Sequence, residues 1–191
     1  MEQATKKKPR GIRNNNPLNI VQTNDKWQGL REPQYDKRFC EFINMEHGYR
    51  AAFIILKNYI NKHGWDTIEK IVSHWAPKNE NDTSAYIFAV CNFMDVKKDH
   101  VMDFRKMTDM LMLASAMTVM ENGSYYNPQK HYYDLWKPMY DGYKMALGSR
   151  RNLATLEYSP DLHHEIHDVE FQELLATRVA DKDCIKHFNL A

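Results

Sequence analysis

Cysteine is scarce and badly placed for cross-linking. Cys40, Cys91 and Cys184 are odd in number, far apart, and form no CxxC pair. They supply no framework of bridges, which points to a reducing compartment during synthesis. No apolar run is long enough to span a bilayer, and Met1-Glu2-Gln3-Ala4-Thr5 offers no apolar signal core, so synthesis in the cytoplasm without a signal peptide is expected. An excess of charge is also missing: 26 Lys and Arg face 25 Asp and Glu, a formal net charge of +1. No global field draws in nucleic acid or an anionic membrane. Internal repeats and low-complexity stretches are absent too.

What remains is ordinary globular material. Hydrophobic residues make up 43% of the 191, aromatics 12% and charged residues 27%, enough to bury a real core in one domain with an appendage. Three segments are expected. Residues 1–10, with Lys6-Lys7-Lys8-Pro9-Arg10, read as a basic tail. Residues 11–125 form the main domain, and 126–191 a helical extension packed on it.

Residues 11–45 are rich in Asn, Pro, Gly and aromatics and carry little helical period. Arg38–Ile43 alternates as a short strand does, with Ile20-Val21-Gln22 as its hairpin partner. From Glu46 the period becomes helical. Ala52, Ile55, Leu56, Tyr59 and Ile60 mark one face, and Gly64 suits a left-handed C-cap. A second helix has Asp66 as N-cap and Ile68, Ile71, Val72 and Trp75 inward, stopping before Pro77. A third opens at Asn81-Asp82-Thr83. A fourth runs from about Asp103 to Glu121, with Met107, Met110, Leu111, Ala114 and Met117 as a core stripe rather than a cofactor box. Helices over Tyr132–Tyr143 and roughly 162–180 follow. The pattern predicts a mainly α fold, or α+β with a small β element near the N-terminus.

The densest unusual segment is Arg10-Gly11-Ile12-Arg13-Asn14-Asn15-Asn16-Pro17-Leu18-Asn19-Ile20. Short amide side chains suit sugar hydroxyls and acetamido groups, and they also build turns. This segment resembles the Gly-Ile-Arg-Asn-Asn-Asn-Pro-Gly-Asn-Ile signature of a phage and prophage family of small structural or lytic virion proteins. Phe39-x-x-Phe42, Gly48-Tyr49-Arg50-Ala51, Trp75-Ala76-Pro77 and Glu80-Asn81-Asp82-Thr83-x-x-Tyr86 fall where that family has similar residues. The resemblance covers roughly residues 10–125. Leu18 stands in place of the usual Gly, Val21 in place of a common Arg, and Lys78 in place of a second Pro. A positive-φ backbone at Leu18 is therefore in doubt.

That family segment is in turn similar to lysozyme-like glucosaminidases and transglycosylases that act on peptidoglycan. Asn15-Asn16-Pro17-Leu18-Asn19-Ile20, Trp27-Gln28-Gly29, the 38–42 segment and the helix from Glu46 repeat their order, and Asp82–Tyr86 resembles a helix start in them. Their catalytic Glu ends a helix that precedes the Asn loop. Here only Glu2 does so, whereas Met117-Thr118-Val119-Met120-Glu121-Asn122-Gly123 resembles the helix-end Glu-Ser-Gly of lysozyme-like transglycosylases. The resemblance thus implies a circularly permuted order with Glu121 as the acid.

Local physics favours the same residue. Glu121 continues the apolar stripe of its helix and sits in the last turn, where the macrodipole disfavours negative charge. Both effects raise a carboxyl pKa. A hydrolase commonly needs a second carboxylate, with Glu41 and Glu80 as the candidates; a lytic transglycosylase needs one acid/base. Asn14, Asn15, Asn16, Tyr86, Tyr125 and Tyr126 are the candidate substrate-binding residues. Trp27 is a further stacking candidate, and Trp75 fits the core better. His163 and His167, with Asp161 or Glu170, are spaced for a metal but lack the His-Glu-x-x-His pattern, and no metal or cofactor is expected.

The expected function is cleavage of peptidoglycan glycan strands, by a glucosaminidase, muramidase or lytic transglycosylase of phage type acting after lysis or as part of a virion. A non-catalytic virion structural or wall-binding protein on the same scaffold is the alternative. Other virion proteins are possible partners; nucleic acid is not an expected one.

Overall fold

A computed structural model describes residues 8–78, 82–123 and 135–148. The described chain is mainly helical: α1 (Arg10–Arg13), α2 (Met45–His63), α3 (Ile68–Trp75), α4 (Thr83–Met94), α5 (Met107–Asn122) and α6 (Lys137–Leu147). No helix among the described residues is long and apolar enough to cross a membrane.

Helix ends fall where local chemistry stops them. Asn44 caps α2 by accepting from the His47 N–H, and Gly64 closes it in the left-handed conformation at φ 67°. Asp82 caps α4 through the Ala85 N–H. At α3 the cap is Thr67, whose hydroxyl accepts from the Lys70 N–H, one residue later than the expected Asp66. Asp66 instead pairs with Lys70 at 2.9 Å. The start of α5 is Met107 rather than Asp103, because Asp103 turns its carboxylate back to the Arg105 N–H and guanidinium.

α5 is the axis of the molecule. Every residue from Met110 to Val119 is buried, so the methionine stripe is core on all sides. α1, α4 and α6 pack around it, and α3 lies on α4. α6 runs along α2, where Gly142 allows the backbone to approach Tyr49 and the Glu46 carbonyl. Its Tyr143 ring meets Phe53 edge-on at 5.2 Å, and its hydroxyl donates to the Phe104 carbonyl at 2.6 Å. α6 thus shares one core with α2 and α5. The helix expected over roughly 162–180 lies outside the described residues.

The β element expected near the N-terminus is not a hairpin of strands. The 20–22 and 38–43 segments do approach each other, but through one isolated antiparallel bridge, Val21 with Phe39, and a second bridge pairs Phe42 with Leu30 outside the expected partner. Side chains have taken the groups a longer ladder would use. Asn16 Nδ2 donates to the Ile20 and Cys40 carbonyls, Gln22 Nε2 to the Phe39 carbonyl, and Gln34 holds both the N–H and the carbonyl of Glu41.

This side-chain-built loop rests on the first turn of α2. A methyl group at Gly48 would lie 1.9 Å from the Asn15 carbonyl oxygen, and no rotamer change can relieve a clash with backbone. Gly48→Ala should therefore cost about 2 kcal/mol, read as a lowered denaturation midpoint at unchanged slope. A wild-type midpoint would refute the close packing.

Candidate functional site

The Asn-rich segment is a folded loop, and Arg10, assigned to the tail by sequence, opens its helix. Arg10 grips Asp36 with two guanidinium contacts at 2.6 and 2.7 Å, and Asn14 Nδ2 donates to the same carboxylate at 2.8 Å. With the Arg38 and Phe39 N–H groups also donating to it, the Asp36 carboxyl is held well below the usual range. Asn15 Nδ2 donates to the Phe42 carbonyl at 3.0 Å. Asn16 is fully buried and spends both ends of its amide, accepting from the Ile20 N–H as well as donating twice.

These three amides, expected to line a sugar site, have their donor ends committed to the loop itself. The left-handed positions are Asn15 and Asn19, both at φ 51°. Asn tolerates that conformation better than other side-chain-bearing residues apart from Asp. Leu18 is buried core instead, so the departure at that position trades backbone freedom for packing. The turn at Asn19 is the consequential one.

Asn19 Nδ2 donates to Glu121 Oε2 at 2.9 Å across 102 positions of sequence. The next residue of α5 anchors the same junction: Asn122 Nδ2 donates to the Pro17 carbonyl at 2.8 Å. Gly11 makes the approach possible, because a Cβ there would meet Asn122 Oδ1, the Asn16 carbonyl and Asn19 Oδ1 within 3 Å.

Glu121 has two further donors. The Tyr86 hydroxyl on α4 reaches Oε1 at 3.2 Å, and the Trp75 side chain at the end of α3 also hydrogen-bonds to the carboxyl. Burial raises the Glu121 pKa, and the three hydrogen bonds work against it; the net direction is upward. Tyr86 is buried, and burial together with the neighbouring carboxylate pushes its phenol well above the ordinary value. Among the described residues no second carboxylate shifts the charge of Glu121. The arrangement is a half-buried acid, set at the end of a rigid helix and ringed by uncharged donors. It can hold its proton to higher pH than an exposed carboxyl does, and stabilise the carboxylate left when that proton departs.

The other candidates divide. Tyr86 belongs to the Glu121 cluster. Glu41 is buried, and its Oε2 accepts from the Tyr35 and Asp36 N–H groups, with Arg31 4.0 Å from Oε1. It staples the 31–41 loop, which is work of a different kind from facing a cleft. Trp27 packs on the core with its indole nitrogen buried, rather than offering a free ring. Glu80, Tyr125, Tyr126 and the His163–His167 cluster lie outside the described residues. No group of metal-ligating side chains occurs among the described residues.

Sequence reasoning missed Asn19 and favoured core packing over a site role for Trp75. The usable signal for Asn19 was an Asn after Leu18, a residue type at home in the left-handed turn that Leu cannot take cheaply.

The chain is 43% identical over 120 residues to protein P5 of Pseudoalteromonas phage PM2, a stretch covering 60% of this chain and 72% of that protein. No protein-family model matches the chain.

Proposed function

We propose that this chain, which belongs to the family of phage protein P5, is a virion-associated enzyme that cleaves peptidoglycan glycan strands from a circularly permuted lysozyme-like scaffold. One observation carries the reading. Glu121 ends a buried helix with its carboxyl enclosed by Asn19, Tyr86 and Trp75 and its pKa raised by burial. A proton donor so placed is what breaking a glycosidic bond requires.

In the proposed step Glu121 gives its proton to the bridging oxygen as the bond to the anomeric carbon breaks. The departing sugar leaves as an alcohol, and Tyr86 orients the substrate or steadies the charge at the anomeric centre. The resulting carboxylate then takes the proton of the sugar's own hydroxyl as that oxygen closes an anhydro ring, which restores the acid. This single-acid course, a lytic transglycosylase, is preferred to a two-carboxylate hydrolase because Glu41 is committed to its loop.

A second reading has its own observation. The donor ends of Asn14, Asn15 and Asn16 serve the loop, which favours a non-catalytic structural or wall-binding virion protein on the same scaffold. Incubating the protein with purified, insoluble peptidoglycan separates the two. Loss of turbidity with release of anhydro-muropeptides, read by mass spectrometry, is the expected result. Reducing ends in their place would make it a hydrolase. Cosedimentation without clearing would replace the enzyme by the binding module, and no association at all would remove both.

A further inference from the structure

Two buried polar atoms beside the acid have no partner. They are Asn19 Oδ1 and Asn122 Oδ1, and both lie within 3 Å of one point next to the Gly11 Cα, together with the Asn16 carbonyl oxygen. Buried acceptors are rarely left so. Both belong to residues whose amide nitrogens are well used, Asn19 on Glu121 and Asn122 on the Pro17 and Thr118 carbonyls.

Turning the Asn19 amide over changes this accounting. Its NH2 would then enter the space where Asn122 Oδ1 waits for a donor, beside the Asn16 carbonyl, which already accepts the Asn19 backbone N–H at 3.0 Å. Its oxygen would face Glu121 Oε2 at the distance the nitrogen now holds. Two oxygens can share that separation only with a proton between them, so the turned amide needs the neutral carboxylic acid. The present orientation suits the carboxylate best, since both of its oxygens only accept.

We propose that Asn19 is a positioning residue for Glu121 that follows its proton, donating through Nδ2 to the carboxylate and accepting through Oδ1 from the neutral acid. In the neutral state both stranded oxygens gain partners. In the ionised state the charge gains a donor instead. The site therefore offers a complete set of hydrogen bonds to each form of the acid, which suits a group that must release a proton and recover it within one turnover.

Around Glu121, α3 contributes Trp75 and α4 contributes Tyr86. Trp75 does not titrate, and Tyr86 is pushed well above its ordinary range. Among the described residues that touch the carboxyl, Glu121 alone is thus left to titrate between acid and neutral pH. The inference rests on the reading of Glu121 as the acid only for its use in catalysis. Its test involves no cleavage, so either can fail alone.

The measurement is NMR of the full chain across a pH titration. The side-chain nitrogen of Asn19 should shift with the same midpoint as the Glu121 carboxyl carbon. A cross-relaxation contact from the Asn19 amide protons to the Gly11 α-protons should strengthen several-fold below that midpoint. In Glu121→Gln, which has an N–H to donate at every pH, the strong contact should persist throughout with no titration. An Asn19 amide whose shift and contacts ignore the Glu121 midpoint in the wild-type protein would overturn the proposal, whatever the variant does.

Discussion

Glu121→Gln should lower the release of soluble muropeptides from purified walls by about 10³-fold, in the range expected for losing a general acid. The same variant should fold normally and be at least as stable as the wild type at pH 7.5. The sign follows from burial. A carboxyl whose folded pKa is raised contributes stability below its unfolded value and loses it as pH rises through the folded value. Above that window the wild type holds an ionised carboxylate in a poorly solvated place, and glutamine does not. The stability advantage of the variant should therefore shrink as pH falls through the raised folded value and be gone below roughly 4, the ordinary carboxylate value. Thermal melts at the two pH values read it directly. Retained cleavage by the variant would take Glu121 out of the mechanism. A variant less stable at pH 7.5 would contradict the burial of its charge.

The largest loss of stability should come from a residue that touches no substrate. Asn16→Ala removes one amide that satisfies the Ile20 and Cys40 carbonyls and the Ile20 N–H, all in a buried setting. The Ile20 carbonyl keeps the Cys40 N–H at 2.9 Å, so two backbone groups lose their partner, which should cost about 3 kcal/mol, since each stranded group costs roughly 1–3 and such losses do not add fully. Asn16→Asp keeps the shape but turns an acceptor toward two carbonyl oxygens, and it should cost at least as much at neutral pH. Chemical denaturation measures both. If Asn16→Ala shifted the midpoint by less than the equivalent of 1 kcal/mol, the amide would not be the organiser of the 16–40 junction.

The helices were legible in the sequence because their causes are local. α2 is written in the spacing of Ala52, Leu56 and their neighbours and in Gly64, and α5 in its methionine stripe. The β element was misread for a reason periodicity cannot reveal. Alternation in Arg38–Ile43 is real, but Asn16 and Gln34 satisfy backbone groups that strands would have used. The site was half legible. Glu121 stood out as an acid in the wrong half of a helix dipole, and Tyr86 through its place in a motif. Which of four nearby asparagines would meet the acid was hidden. That choice depends on left-handed turns at Asn15 and Asn19 and on a closure spanning 102 residues, neither of which leaves a repeating pattern.

That closure has an effect on timing. The Asn loop leaves the ribosome early and the acid about a hundred residues later, so no partial chain that stops short of α5 can assemble the pocket. Until the end of α5 docks against Gly11 and Pro17, the loop has no carboxyl to grip. A site split between an early and a late segment stays incomplete until α5 has emerged. Proteolytic removal of the first twenty residues would take Asn19 away from Glu121 again, leaving α5 uncut.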